Sequence, residues 1–390
     1  MLLSWLRMSV NCFLAVTVLL LGLSCVVISQ KTLFCYYGSW AHYRSGRGQF
    51  RVENIDPALC SHALYAFLGI HENGTVAILD YWLDVSLGNF QKFNELKKTN
   101  VNLKTLATIH GSSATFSRVA ADSGLRWQFA ESARDLCIQY GFDGIDINWE
   151  FPGTAAGEND DKTNFVHMLS DLREVLSSSG LMLTAAVGAA QFRAQQSYDI
   201  PSVSKLVDFL SLMTYDFNGS WDNFTGHNAP LFDGPSDRTN FQRTLNVNHS
   251  VMYWLQQGAP KDKVVVGIPL HARTFTLTNS DNYWLRDAAS GPGLPGQFTN
   301  TAGSMAYFEI CPFFTRKWAR HWEDTQKIPF GVTGNQWIGY DDVETAKLKC
   351  DYIIQHDLAG GMVWSIERDD FNGYCGIKFP IMNTLRNCLQ

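Results

Sequence analysis

The sequence predicts an α/β fold: a single (β/α)8 (TIM) barrel with an inserted α+β subdomain between its seventh and eighth strands. Three observations predict it. Eight short runs rich in β-branched and aromatic residues recur along the chain, longer amphipathic stretches separate them, and one long irregular gap comes late. Repeated strand–helix alternation favours a parallel sheet, and eight repeats favour a sheet closed on itself. One barrel plus one insertion accounts for all 390 residues.

Residues 1–29 stand apart. Arg7 precedes an unbroken apolar stretch over residues 13–28, followed by Ser29 and Gln30, the order of a secretory leader cleaved near residue 29. The stretch falls slightly short of the ~18 residues that suffice to span a bilayer, so an uncleaved anchor is the alternative. The barrel is expected over residues 30–390, as an extracellular monomer free of the membrane once the leader is removed. Four Asn-x-Ser/Thr triplets, at Asn73, Asn218, Asn223 and Asn248, agree with export. Removing the leader removes Cys12 and Cys25 and leaves Cys35, Cys60, Cys137, Cys311, Cys350, Cys375 and Cys388. That number is odd, so at least one thiol is free or intermolecular.

The strand-like runs cover residues 34–40, 62–70, 104–111, 144–150, 181–189, 209–217, 264–272 and 360–366. Helix-like periodicity fills stretches such as 125–140, 161–176 and 240–257. The gap at 274–349 holds turn signals, Ser290-Gly-Pro-Gly-Leu-Pro-Gly296 among them, beside aromatic runs, and is expected to form the inserted α+β subdomain walling a cleft. Lys and Arg number 31 against 37 Asp and Glu, a formal net charge of −6, and no basic run occurs. Nucleic acid is thereby excluded as an expected partner.

The chemistry concentrates in Asp143-Gly-Ile-Asp146-Ile-Asn148-Trp-Glu150-Phe-Pro152, the fourth strand-like run. Side chains alternate along a strand, so Asp146, Asn148 and Glu150 share one face and Ile145, Ile147 and Trp149 the other. Both faces of a parallel barrel sheet are buried, and acidic groups pointing inward cost several kcal/mol unless paired or used. An exposed edge strand with a polar outer face is the bland alternative, and the eightfold pattern argues against it.

This segment resembles the signature of glycoside hydrolase family 18, Asp-Gly-x-Asp-x-Asp-Trp-Glu-Tyr-Pro, at every fixed position except Asn148 and Phe151. Cys35-Tyr-Tyr-Gly-Ser-Trp40, Tyr65-Ala-Phe67, Met213-Thr-Tyr-Asp216 and Gly361-Met-Val-Trp364 continue the likeness in order from about Cys35 to the C-terminus. The resemblance implies a chitinase or chitinase-like protein that takes chitin or chitooligosaccharides and needs no metal. Nothing suggests a cofactor, and because no low-complexity linker or cysteine-rich tail follows the eighth run, no separate C-terminal chitin-binding module is expected. It casts Glu150 as proton donor, Asp146 as support for position 148, and Tyr215 and Asp216 as contacts to the substrate's acetamide and sugar. Trp364 would floor the cleft, Trp40 and Trp221 would stack on flanking sugars, and Tyr36, Phe67, Met213 and Arg273 match further cleft positions. It also implies disulfides Cys35–Cys60 and Cys311–Cys375.

The departures carry as much information. Where the family has a second acid, Asn148 can still accept a hydrogen bond but brings no charge to a developing cation, a loss typically of about 2–4 kcal/mol. Strand three reads Ile109-His-Gly-Ser-Ser113 in place of Gly-Gly-Trp-Asn, and strand seven reads Pro269-Leu-His271-Ala-Arg273 in place of Tyr-Gly-Arg. His110, His271 and Asp146 could in principle form a ligand set, but no metal-ligand spacing accompanies them, and hydrogen-bonded histidines are expected. Ala58 stands where the family often has a half-cystine, which implies an unpaired Cys388, with the pairing of Cys137, Cys350 and Cys388 left open. Two functions follow as expectations: an attenuated chitinase, or a non-catalytic lectin or signalling protein on the same barrel.

Overall fold

The computed structural model describes residues 30–154, 160–314 and 318–390. The expected leader over residues 1–29 lies outside the described residues, and the compact unit runs from Lys31 to Gln390. Eight parallel strands form a closed barrel: β1 (Thr32–Gly38), β2 (His62–Ile70), β3 (Lys104–His110), β4 (Gly144–Asn148), β5 (Met182–Gly188), β6 (Phe209–Met213), β7 (Val264–Pro269) and β8 (Gly360–Trp364). Each pairs with its neighbours in sequence, and β8 closes on β1 with Thr32 opposite Gly360.

Alternation along each strand builds two cores. Phe34, Tyr36, Leu64, Ala66, Leu106, Ala186, Val265 and Met362 fill the barrel interior. The intervening residues, such as Ile145 and Ile147 on β4 and Trp149 just past its end, pack outward under the helices. Those helices are held at their ends by local chemistry. Asp122 caps helix Ser123–Tyr140 by accepting from the Leu125 N–H at 2.9 Å, and Gly141, in the left-handed region at φ 81°, ends it where a side chain would be strained.

Between β7 and β8 the chain leaves the barrel to form an antiparallel sheet. Its strands run Ala289–Pro292, His271–Leu277, Gln336–Gly339, Ile328–Thr333 and Ala319–Glu323 in spatial order, with Ser304–Ala306 also pairing with His271–Leu277. Helix Val343–Gln355 then returns to the barrel. The sheet begins immediately after β7, so His271 and Arg273, expected at a barrel strand's end, sit on its first strand.

Disulfides join Cys35 to Cys60 and Cys311 to Cys375. Cys388 is not unpaired: it bonds to Cys350, with Cα atoms 6.4 Å apart. Packing of helix Val343–Gln355 against the C-terminal helix Pro380–Leu389 brings the two cysteines together, a partner that spacing along the chain does not reveal. Cys137 is left as a buried free thiol. Among the described residues no helix is long and apolar enough to cross a membrane.

Candidate active site

The acidic segment of β4 ends at the C-terminal mouth of the barrel, where βα-loops build the sites of such folds. Asp146 lies deepest and is fully buried. The β4–β5 register sets it opposite Thr184, whose Oγ1 donates to Asp146 Oδ1 at 2.6 Å, while the Tyr36 hydroxyl donates to Oδ2 at 2.7 Å. Burial raises its pKa, opposed by these two donors. Its two oxygens take Thr184, set opposite by the β4–β5 register, and Tyr36, which reaches across the barrel interior from β1.

Asn148, two residues on, is 4% exposed, and its Oδ1 has no hydrogen-bond partner. Its amide faces the Glu150 carboxyl. Glu150 lies just past the strand end and reaches solvent through the cleft. The crowded walls still strip water from it and raise its pKa; His110 and then the Asn148 amide pull it back down, and the charge of Asp216 pushes it up. An ionised acid at position 148 would work in the opposite direction to the amide.

Asp216 follows β6 with φ 57°, in the left-handed region that Asp tolerates better than most side chains. Asn228 fixes this turn, accepting from the Asp216 N–H at 2.8 Å and donating to the His271 carbonyl at 2.8 Å. Arg273 grips the half-buried carboxylate, Nε to Oδ1 and a terminal nitrogen to Oδ2, each at 2.7 Å, and His271 Nε2 lies 2.9 Å from Oδ1. Burial would raise the Asp216 pKa, but His271 and Arg273 outweigh it and hold the carboxyl well below the usual range. Tyr215 packs edge-on to His271, centroids 5.9 Å apart, and burial with the neighbouring Asp216 keeps its phenol protonated well above the ordinary range.

Aromatic rings line the opposite wall. Phe67 stacks on Trp364 at 5.5 Å and on Trp40 at 5.7 Å, and Tyr36 meets Trp364 edge-on at 5.3 Å. Across the cleft the Trp221 ring, 59% exposed, lies under the Arg273 guanidinium at 5.0 Å. Together they bound a cavity of about 560 Å³ lined by Tyr36, Asn148, Glu150, Met213, Tyr215, Asp216, Trp221 and Trp364, with further residues at one end. Asp146 supports it from beneath, and Trp40, Phe67 and Arg273 join it through these contacts.

Sequence reasoning missed that end. Phe151, Phe192, Arg193 and Phe241 extend the lining, with Arg193 over the Phe151 ring at 4.8 Å and Phe192 and Phe241 at 5.5 Å. The one local signal for it was Phe192 beside Arg193, a few residues after β5. His110 and His271 do not converge with Asp146: His110 Nδ1 faces the Asn148 carbonyl at 3.1 Å and His271 faces Asp216. Among the described residues the one cluster with metal-like spacing is Cys311, Asp370 and Cys375, whose sulfurs already form a disulfide.

Comparison with known proteins agrees with this geometry. The profile of glycosyl hydrolases family 18 matches residues 32–369. Mouse chitotriosidase-1 is 37% identical over 376 residues, 93% of this chain and 79% of its own. The solved Group IV chitinase of Ostrinia furnacalis superposes with a TM-score of 0.90 at 42% identity, covering 92% of this chain and 99% of that one. Human YKL-39, described as a pseudo-chitinase with retained chitooligosaccharide binding, superposes with a TM-score of 0.86 at 36% identity, covering 92% and 99%.

Proposed function

The chain belongs to glycosyl hydrolases family 18, and from that premise we propose that it is an exported chitooligosaccharide-binding protein that hydrolyses β-1,4-linked N-acetylglucosamine slowly, with retention. The observation that carries this reading is Glu150: a carboxyl open to an aromatic-walled cleft, with its pKa raised by partial desolvation. A general acid must hold its proton at working pH, and that environment favours the protonated form.

In the proposed reaction Glu150 gives its proton to the glycosidic oxygen as the bond from that oxygen to the anomeric carbon breaks. The substrate's own acetamide oxygen forms the new bond to the anomeric carbon, giving an oxazolinium ion. Water then adds from the face the leaving group vacated and returns a proton to Glu150, so configuration is retained. Tyr215 and Asp216 would hold the acetamide and sugar, Trp364 would floor the distorted ring, and Trp40 and Trp221 would stack on flanking sugars. The Asn148 amide supplies no negative charge to the oxazolinium, and it lowers the Glu150 pKa. Both effects slow the reaction. The second reading, a binding protein without turnover, is favoured by the same Asn148.

Turnover of a fluorogenic chitotriose glycoside by the purified chain, with Glu150→Gln as the blank, decides between them. Release above the blank supports hydrolysis. No release, with chitooligosaccharide binding intact by calorimetry, supports the binding protein. Residues 1–29 would direct export, and the mature chain would act as a monomer in the extracellular space.

A further inference from the structure

The four Asn-x-Ser/Thr triplets are equivalent in sequence but not in space. A glycan is joined to the side-chain amide nitrogen, so that atom must face solvent in the folded protein. Asn218 is 1% exposed, and its Nδ2 donates to the His227 carbonyl at 2.9 Å while its Oδ1 accepts from Arg286 at 2.5 Å. Substituting that nitrogen would break a buried hydrogen bond and force sugar into the core. Asn248 lies in the first turn of helix Val247–Gln256, half-buried, with Oδ1 accepting from the hydroxyl of Tyr352, itself 4% exposed on helix Val343–Gln355. A glycan there would have to leave past the buried ring of Tyr352 from a residue that is itself only partly exposed.

Asn73 and Asn223 differ. Asn73 is exposed at the tip of the hairpin joining β2 to the short strand Val76–Ala77, and Thr75 occupies its Oδ1 through both N–H and hydroxyl, bonds that do not use Nδ2. Asn223 is exposed on the loop after β6, next to Asp222 and two residues from Trp221, both of which line the cleft. Main-chain bonds pin this loop to the inserted subdomain: Ala289 N–H to the Asn223 carbonyl at 2.9 Å, and Thr225 N–H to the Asp287 carbonyl at 2.8 Å. The backbone at Asn223 is therefore held at the cleft's rim while its side chain stays in solvent.

We propose that Asn73 and Asn223 carry N-linked glycans, that Asn218 and Asn248 do not, and that the Asn223 glycan forms part of the cleft's rim beside Trp221. The step is a transfer from a polyprenyl-pyrophosphate-linked oligosaccharide. The asparagine Nδ2 bonds to the anomeric carbon, the carbon–oxygen bond to pyrophosphate breaks, and the amide proton passes to a base of the transferase. A polymer running out past Trp221 must pass this glycan, whereas a short oligosaccharide need not. The inference rests on the export and sugar-binding readings above.

The test expresses the full chain in an animal secretory cell line, with its own first 29 residues and, in parallel, with a heterologous leader in their place. Glycosidase release in heavy-oxygen water followed by peptide mapping is expected to label Asn73 and Asn223 alone in the secreted protein. Label at Asn218 or Asn248, or none at Asn73 or Asn223, overturns the site assignment. Label at both sites only with the heterologous leader supports the assignment and sinks the export reading. Asn223→Gln is expected to bind insoluble chitin at least about threefold better than wild type, with chitotriose affinity unchanged within twofold, and native deglycosylation of an Asn73→Gln chain should reproduce the gain. No gain by either route overturns the rim. A chain that binds neither ligand overturns the sugar-binding reading, and the rim with it.

Discussion

His271 Nε2 lies 2.9 Å from Asp216 Oδ1, and the same oxygen takes the Arg273 Nε–H at 2.7 Å. One carboxylate thereby ties the turn after β6 to the first strand of the inserted sheet, and it places the guanidinium that lies over Trp221. The family's usual Tyr at this point would offer one hydroxyl where His271 offers a ring nitrogen at each end, the second facing the Trp364 carbonyl at 3.4 Å.

Asp216→Ala removes the acceptor that Arg273 and His271 share. We expect chitotriose affinity to fall at least about tenfold, with a lower melting temperature, because a guanidinium and a buried imidazole lose their partner. Calorimetric titration and a thermal melt check both; unchanged affinity would mean that the carboxylate only braces the loop.

Asn148→Asp is expected to raise chitooligosaccharide hydrolysis at least about tenfold, by returning charge to the developing cation. It also has a pH signature. The Asn148 amide lowers the Glu150 pKa, whereas a neighbouring carboxylate raises it by like-charge repulsion. In the proposed reaction Glu150 works protonated, so the alkaline fall of kcat/KM should move to higher pH in the variant. A rate and profile identical to wild type would place the limit in the altered strands three and seven.

His227 predicts how stability depends on pH. It is fully buried in a fixed tautomer, with Nδ1 accepting from the Ala229 N–H at 2.9 Å and Nε2 donating to the Tyr340 carbonyl at 2.8 Å. Burial lowers its pKa from 6.5 to about 4. The unfolded chain therefore binds this proton more readily, so the stability is complete above about pH 6.5 and is lost as pH falls toward 4, up to about 3 kcal/mol. Urea unfolding at pH 7 and pH 4 should show a smaller acid loss for His227→Gln; parallel losses would refute the assignment.

Cys137 should be chemically silent while the chain is folded. Burial pushes its thiol up to about 12, which leaves almost no thiolate at neutral pH. A thiol reagent is expected to modify it only in denaturant, and rapid modification of the native protein would contradict its place on the buried face of helix Ser123–Tyr140.

Much of the architecture was legible in sequence because its signals are local. Eight strand-like runs with helical periodicity between them report which faces are buried, and alternation alone put Asp146, Asn148 and Glu150 on one side of their strand. The inserted subdomain showed itself by interrupted periodicity, although its sheet starts at His271, only two residues after Pro269 ends β7 and still inside an apolar run that reads as one strand. The far end of the cleft stayed hidden, since Phe192 and Phe241 come from separate segments and read individually as ordinary apolar positions.

Periodicity, turn chemistry and the order of motifs thus determined the barrel, its insertion and the strand that Glu150 follows, because each depends on neighbours a few residues away. Tertiary structure alone decided that Cys388 bonds to Cys350, that Asp146 answers to Tyr36 and Thr184, and that Asp216 is shared by His271 and Arg273. Those pairings join residues 38 to 110 positions apart. Strand register and helix packing bring such residues together, and neither can be read from a stretch of chain shorter than the loop that it closes.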